Sequence, residues 1–144
     1  MTMMMTMRAL LWLLLVVVTA AQAGDATLAA RDGWIRAAPP VAKVRAGYLV
    51  IENRGDAEVV LDTATSVDFG AVEIHEMIND AGTMRMRRVP ELRVPANGRV
   101  ELKPGGLHLM LFRPQRELPE GTEVKIALQG PKARVEARLL VRAP

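Results

Sequence analysis

The chain has 144 residues, half of them hydrophobic, with no cysteine and a formal net charge of +3 at pH 7. This length suits one domain that folds without covalent cross-links, and the lack of cysteine excludes disulfides and thiolate metal sites in this chain. Charges of both signs are interspersed and aromatic residues make up only 3% of the chain, so nucleic-acid binding has little support.

The first segment has the pattern of a secretory signal peptide. Arg8 precedes an unbroken apolar run from Ala9 to Val18, and Ala21-Gln22-Ala23 is a small-x-small cleavage site. The run would form a helix of about 15 Å, against roughly 30 Å for a bilayer core, so it is too short to span a membrane. We predict cleavage after Ala23, which makes residues 24–144 one soluble periplasmic domain. An uncleaved anchor is the alternative.

Short apolar stretches follow, separated by turns rich in Gly, Pro, Asn and Asp, and none keeps a helical period for long. This pattern predicts an all-β fold, a two-sheet sandwich or Greek-key barrel of about nine strands. The predicted strands are Leu28 to Ala37, Ala46 to Asn53, Val59 to Ala64, Ala71 to Met77, Met84 to Val89, Arg99 to Leu102, Leu107 to Phe112, Thr122 to Leu128 and Val135 to Val141.

Both histidines, and every methionine outside the predicted signal peptide, lie between His75 and Met110. Imidazole and thioether are the ligands that a protein without cysteine offers to a soft or borderline transition metal. A single histidine or methionine on a strand is more often structural, but the joint pattern favours a metal site, with copper as the metal. The set is His75, Met77, Met84, Met86, His108 and Met110.

Strand geometry predicts which of these side chains share a face. A hairpin turn centred on the middle bond of Asn79-Asp80-Ala81-Gly82 would place His75 opposite Met86 and Met77 opposite Met84. Directly opposed side chains have Cβ atoms roughly 5 Å apart, a separation that a metal ion can bridge.

A second strand carries the other two donors. The stretch Leu107 to Leu111 alternates strictly, with leucines on one face and His108 and Met110 on the other. Glu73 and Glu76 flank the first histidine and are predicted to face away from it.

The spacing His75, ten residues, Met86, twenty-one residues, His108-Leu109-Met110 resembles the H-x10-M-x21-H-x-M signature of the PCuAC periplasmic copper chaperones. Further similar segments are Gly33-Trp34-Ile35-Arg36, Ala46-Gly47-Tyr48, Ile51-Glu52-Asn53, Met84-Arg85-Met86-Arg87, Pro95-Ala96 and Leu102-Lys103-Pro104-Gly105-Gly106. The resemblance implies a cupredoxin-like β-barrel that binds one Cu(I) through His75, Met86, His108 and Met110. It also implies delivery of copper to the copper subunit of cytochrome c oxidase, in partnership with Sco-type proteins.

Two features qualify this expectation. Arg113-Pro114 stands where the resemblance leads us to expect a more apolar, glycine-containing continuation, and we expect it to alter the rim of the site. Met77 and Met84 are either spare donors during copper transfer or side chains that fence the site from water.

The donor chemistry favours transport over catalysis. Neutral imidazoles and thioethers suit Cu(I), whereas blue-copper electron carriers use a cysteine thiolate that this chain lacks. Ser66 is the only serine in residues 24–144 and has no nucleophile-elbow context, so we do not expect an enzyme. The alternatives to a copper carrier are a periplasmic copper buffer for tolerance and a secreted β-sandwich binding module with incidental His and Met residues.

Overall fold

The computed structural model describes residues 27–144, which form eleven strands and no helix. The predicted signal peptide, residues 1–23, and the predicted start of the mature domain lie outside the described residues. Within residues 27–144 no helix is long and apolar enough to cross a membrane. The strands are β1 Leu28–Arg36, β2 Val44–Asn53, β3 Val59–Leu61, β4 Thr63–Thr65, β5 Phe69–Asp80, β6 Thr83–Arg88, β7 Leu92–Val94, β8 Gly98–Leu102, β9 Leu107–Pro114, β10 Glu123–Gln129 and β11 Arg134–Arg142.

Seven of the strands close into a barrel in the order β1, β11, β10, β4, β5, β9 and β2, and β2 pairs back to β1. All of these pairs are antiparallel except β1 with β11. Strand β8 pairs with β2 and strand β6 pairs with β5, while β3 and β7 form a separate two-stranded sheet. The all-β barrel predicted from the sequence is therefore confirmed.

The barrel is filled by aliphatic side chains that recur at every second residue, as the pleat of a strand requires. On β11, Val135, Ala137, Leu139 and Val141 are buried, and the residues between them are exposed. On β9, Leu109 and Leu111 are fully buried. The leucine face predicted for this strand is thus the core face, and the histidine and methionine of β9 lie on its other side.

Two of the eleven strands were not predicted. The stretch Val59 to Ala64 divides at Asp62 into β3 and β4, which belong to different sheets. Strand β7 has only three residues, between Pro90 and Pro95, and so lacks a detectable alternation.

The predicted pairing of the β5–β6 hairpin is wrong by two residues. Strand β5 continues to Asp80, which pairs with Thr83, and the turn is Ala81–Gly82. Both turn residues have positive φ, 51° and 88°, and the Gly82 N–H donates a 2.8 Å hydrogen bond to Asn79 Oδ1. A two-residue turn with positive φ at both positions matches the twist of the two flanking strands. The centre of the hairpin therefore lies between Ala81 and Gly82, one residue later than predicted.

Candidate metal centre

The two histidines lie side by side on neighbouring strands. His75 on β5 is directly opposite His108 on β9, and the centroids of their rings are 6.1 Å apart. His108 is 6% exposed and the His75 side chain is 15% exposed. The sequence predicts both imidazoles on strands of a candidate metal site but does not predict that they oppose each other.

Each imidazole is oriented by a hydrogen bond through one of its nitrogens. His75 Nε2 is 2.8 Å from Glu73 Oε2, and His108 Nδ1 is 2.9 Å from the carbonyl oxygen of Gly106. Carboxylate and carbonyl oxygens only accept hydrogen bonds, so these ring nitrogens carry the donated proton. In the neutral rings, His75 Nδ1 and His108 Nε2 then hold the lone pairs available to a metal ion.

One of these lone-pair nitrogens has no partner. In residues 27–144, the buried side-chain nitrogens without a hydrogen bond are His75 Nδ1 and two atoms of Arg45. Leaving a buried polar atom unpaired costs about 1–3 kcal/mol, and most such atoms in proteins are paired. The unpaired Nδ1 is therefore a polar atom whose interaction a bound ligand would complete.

The strand registers define one sheet face across β6, β5 and β9, which we call the His/Met face. His75 lies between His108 on β9 and Arg88 on β6. The residues of the His/Met face are Glu73, His75 and Met77 of β5, His108 and Met110 of β9, and Met84, Met86 and Arg88 of β6.

The methionines lie on opposite sides of the histidine pair. Met110 is opposite Glu73, one pleat repeat from the histidine row, whereas Met86 is opposite Met77, one repeat away in the other direction. With about 4.8 Å between strands and about 3.3 Å per residue, a flat sheet would separate Met86 and Met110 by roughly 16 Å between Cα atoms. Convergence of all four predicted donors on one ion therefore requires the β5–β6 hairpin to curl over the histidines.

Burial of the methionines depends on the strand that carries them. Met110 and Met77 are half-buried, whereas Met84 and Met86 are 55% and 50% exposed on β6. Phe112 stands next to the histidines on the core-distal side of β9, with its ring centroid 6.3 Å from that of His75. Phe112 thus covers the His75 ring from β9, whereas the methionines of β6 are exposed.

Glu73 was predicted to face away from His75, and this prediction is wrong. Residues two apart on a strand share a face, so Glu73 lies beside His75, while Glu76 lies on the opposite face and pairs with Arg87. Arg88 approaches the same carboxylate, with Nε 3.9 Å from Glu73 Oε2. Strict counting of the strand period would have identified Glu73 as a member of the site.

Ser66, the serine examined above as a candidate nucleophile, stabilises a turn. Its hydroxyl donates a 2.7 Å hydrogen bond to the carbonyl oxygen of Lys125 and accepts a 3.2 Å bond from the N–H of Asp68. Neither histidine is among its hydrogen-bond partners in the described chain.

Comparison with known proteins identifies the family. The family model described as "Putative lipoprotein LpqE-like" matches residues 28–137, most of the described chain. The chain belongs to the LpqE-like family.

An uncharacterized protein of Rickettsia prowazekii is 34% identical to the LpqE-like chain over 80 residues, which are 55% of this chain and 44% of that protein. A protein of Leifsonia xyli subsp. xyli, named as a lipoprotein, is 27% identical over 97 residues, 67% of this chain and 57% of that protein. The chain spans about half the length of these relatives.

The same fold is found in solved structures of copper-bound proteins. The copper-bound PCuAC domain from PmoF2 is 25% identical, with a TM-score of 0.69 over 85% of the LpqE-like chain and 97% of that domain. Cu(I)-bound DR1885 from Deinococcus radiodurans is 26% identical, with a TM-score of 0.64 over 86% of this chain and 83% of that protein. The cupredoxin-like fold predicted from the sequence is confirmed by these similarities, and none of the matches named here is named as an enzyme.

Proposed function

We propose that this LpqE-like chain is a copper chaperone of the PCuAC type that binds one Cu(I) through His75, Met86, His108 and Met110. The observation that carries the proposal is the opposed histidine pair, in which hydrogen bonds orient both rings and one lone-pair nitrogen is buried without a partner. Two imidazoles and two thioethers form a neutral, soft ligand set, which suits Cu(I). The similarity to copper-bound PCuAC domains supports the same metal.

In this proposal the copper ligands are His75 Nδ1 and His108 Nε2, because the other ring nitrogens donate to Glu73 and to the Gly106 carbonyl. Partners of this kind fix the tautomer and the ring orientation of a metal-binding histidine and raise its basicity. Glu73 is therefore a positioning residue that binds no copper itself.

We place the site of action in the cell envelope, after removal of residues 1–23, and propose no catalytic activity. The lipoprotein names of the family and of the Leifsonia relative support an envelope location. We further propose that the chain delivers copper to the copper subunit of cytochrome c oxidase, together with Sco-type proteins. This step rests on the sequence resemblance. Copper would leave from the β6 side of the site, because β6 is exposed.

The first test is the copper stoichiometry of residues 24–144 under reducing conditions, measured by competition with a coloured Cu(I) chelator. We expect one Cu(I) per chain, and no tightly bound copper in a His75→Ala/His108→Ala double variant. A wild-type chain without stoichiometric copper would overturn the proposal in favour of a β-sandwich binding module whose His and Met residues are incidental.

A second test separates delivery from buffering. The Cu(I)-loaded chain is mixed with the purified soluble copper-binding domain of an oxidase subunit, with and without a Sco-type protein, and copper on each partner is measured after separation. A carrier transfers its copper to the acceptor, whereas a buffer retains it, so retention under both conditions would contradict the delivery step while leaving the copper site intact.

A further inference from the structure

A cavity lies at the end of β9 that is farther from the histidine pair. Its volume is about 570 Å³, and its walls are the connection between β1 and β2, residues 38–43, and the segment that ends β9 and follows it, residues 113–119. The two walls are joined by a 2.8 Å hydrogen bond from the Arg113 N–H to the carbonyl oxygen of Lys43. We call it the Arg45 cavity, because Arg45 of β2 also lines it.

Arg45 is a buried cation without adequate partners. The residue is 4% exposed, and neither Nε nor Nη1 has a hydrogen-bond partner in the described chain. The hydrogen bond from its Nη2 is long, 3.5 Å to the carbonyl oxygen of Pro39. A guanidinium stays charged in proteins, and a buried charge is costly unless an opposite charge or several hydrogen bonds compensate it.

The side chains around Arg45 add positive charge instead of compensating it. Lys43 and Arg113 line the same cavity, and no ion pair of either is found within residues 27–144. Arg116 also lines it but is held by Asp68, with Nε 2.5 Å from Oδ1, and this carboxylate raises the pKa of Arg116. Glu117 is the one carboxylate among the residues that line the described cavity. The cavity therefore has a surplus of uncompensated cations.

We propose that the Arg45 cavity binds a small organic or inorganic oxyanion, a carboxylate or a phosphate, that completes the hydrogen bonding of the Arg45 guanidinium. Arginine binds carboxylate and phosphate oxygens through two parallel N–H donors, and Nε with one Nη forms such a donor pair. A cavity of this size lies within the range of small-molecule sites and has room for more than the anionic group alone. This site is independent of the copper site proposed above.

Titration of the full mature chain, residues 24–144, with inorganic phosphate and separately with succinate tests the proposal. Amide chemical shifts are followed at constant ionic strength maintained with chloride. We expect saturable shifts confined to residues 38–45 and 113–119 with at least one of the two anions, and the anion that binds more tightly identifies the oxyanion class. Shifts that never saturate, or that are spread over all surface arginines, would overturn the site.

Variants connect the binding to Arg45. Arg45→Met keeps a long side chain but removes the charge, and we expect at least a tenfold loss of anion affinity with no loss of thermal stability, because the uncompensated buried charge disappears. Lys43→Gln alters an exposed residue of the cavity wall and should weaken anion binding without affecting the fold. Arg138→Gln alters an exposed arginine on β11, away from the cavity, and serves as the matched control. Unchanged anion affinity in Arg45→Met would contradict the proposal, whatever the effect of Lys43→Gln. Cu(I) affinity should be unaltered in all three variants.

Discussion

The two kinds of donor on the His/Met face are held by the fold in different ways. His75 and His108 lie on β5 and β9, strands with neighbours on both sides, and both side chains are mostly buried. Met84 and Met86 lie on β6, which pairs only with β5 in the described part of the chain, and about half of each side chain is exposed. A strand with one neighbour opens locally at lower cost than a strand inside a closed barrel. The comparison teaches that the histidines of the candidate site lie on strands of the closed barrel, whereas two of its methionines lie on a strand outside the barrel.

This difference suits the proposed function. A carrier must hold copper and also surrender it to an acceptor, so part of its ligand set has to be replaceable. If the proposed ligand set is correct, the histidines determine where copper binds and Met86 of β6 determines how readily it leaves. The following predictions separate these two roles.

The largest effect is expected from the histidines. His108→Ala should reduce Cu(I) affinity by more than about 100-fold, because even the loss of a partner that only supports a ligand costs about 10- to 100-fold. His75→Ala should act similarly. Competition with a coloured Cu(I) chelator measures the affinity, and thermal melts of the copper-free variants control for folding. Near-normal affinity in either variant would mean that the histidine pair is not the centre of the site.

The next effect is expected from the sulfurs and tests the corrected hairpin register. Met→Leu is nearly volume-conserving and should cost less than about 1.5 kcal/mol in packing. Met110→Leu and Met86→Leu should each lower Cu(I) affinity by at least about tenfold, equivalent to about 1.4 kcal/mol. Met84→Leu, opposite Asn79 at the far end of the hairpin, should change it by less than a factor of about two.

Met77 sharpens this series, because it is directly opposite Met86 and two residues from His75. If Met77→Leu loses more copper than Met86→Leu, the sulfur ligand comes from β5. Met77 then replaces Met86 in the proposed set of four ligands. Cu(I) competition on the two variants, prepared side by side, decides between them.

A smaller effect is expected at Glu73. Glu73→Gln removes the charge that orients His75 Nε2 and should weaken Cu(I) binding by about tenfold, at the lower end of the range for such supporting residues. Glu76→Gln, on the opposite face of the same strand, is the matched control and should leave the affinity unchanged. Equal affinities for the two variants would contradict a positioning role for Glu73.

An effect smaller than that of Glu73→Gln is expected at the hairpin turn. Gly82 has φ of 88°, and apart from Gly82 and its two chain neighbours no described residue lies within 4 Å of the position that an alanine Cβ would occupy, so Gly82→Ala imposes only a backbone penalty, about 1 kcal/mol. We expect faster amide exchange on β6, unchanged exchange on β9, and a loss of copper affinity of only about threefold. Gly121→Ala, which has the same φ and equally open space at a turn before β10, should leave β6 unaffected. Equal exchange on β6 in the two variants would show that the turn does not control the methionine strand.

The sequence predicted the features that depend on local periodicity. The alternation in Leu107 to Leu111 correctly separated a core face from a face bearing His108 and Met110. The all-β architecture followed from similar patterns along the chain. These predictions succeed because burial on one side of a strand leaves a mark at every second residue.

Features that depend on register were not predictable in the same way. The opposition of His75 and His108 arises from pairing across some thirty intervening residues, and no local pattern specifies it. The hairpin centre was misjudged because Ala81 adopts positive φ, which alanine rarely does. The burial of Arg45 was also unexpected, since β2 begins two residues before its predicted start at Ala46.

Strand β6 has a further consequence for the molecule outside its metal chemistry. Because β6 pairs only with β5 among residues 27–144, one side of its backbone has no strand partner there, and such an edge is one along which separate chains can join into aggregates. Arg85, Arg87 and Arg88 make up half of this strand, and each lies near an acidic side chain of β5. Their bulk and charge hinder the approach of a second strand. The strand from which copper would leave in the proposed function is thus also protected from pairing with its own copies.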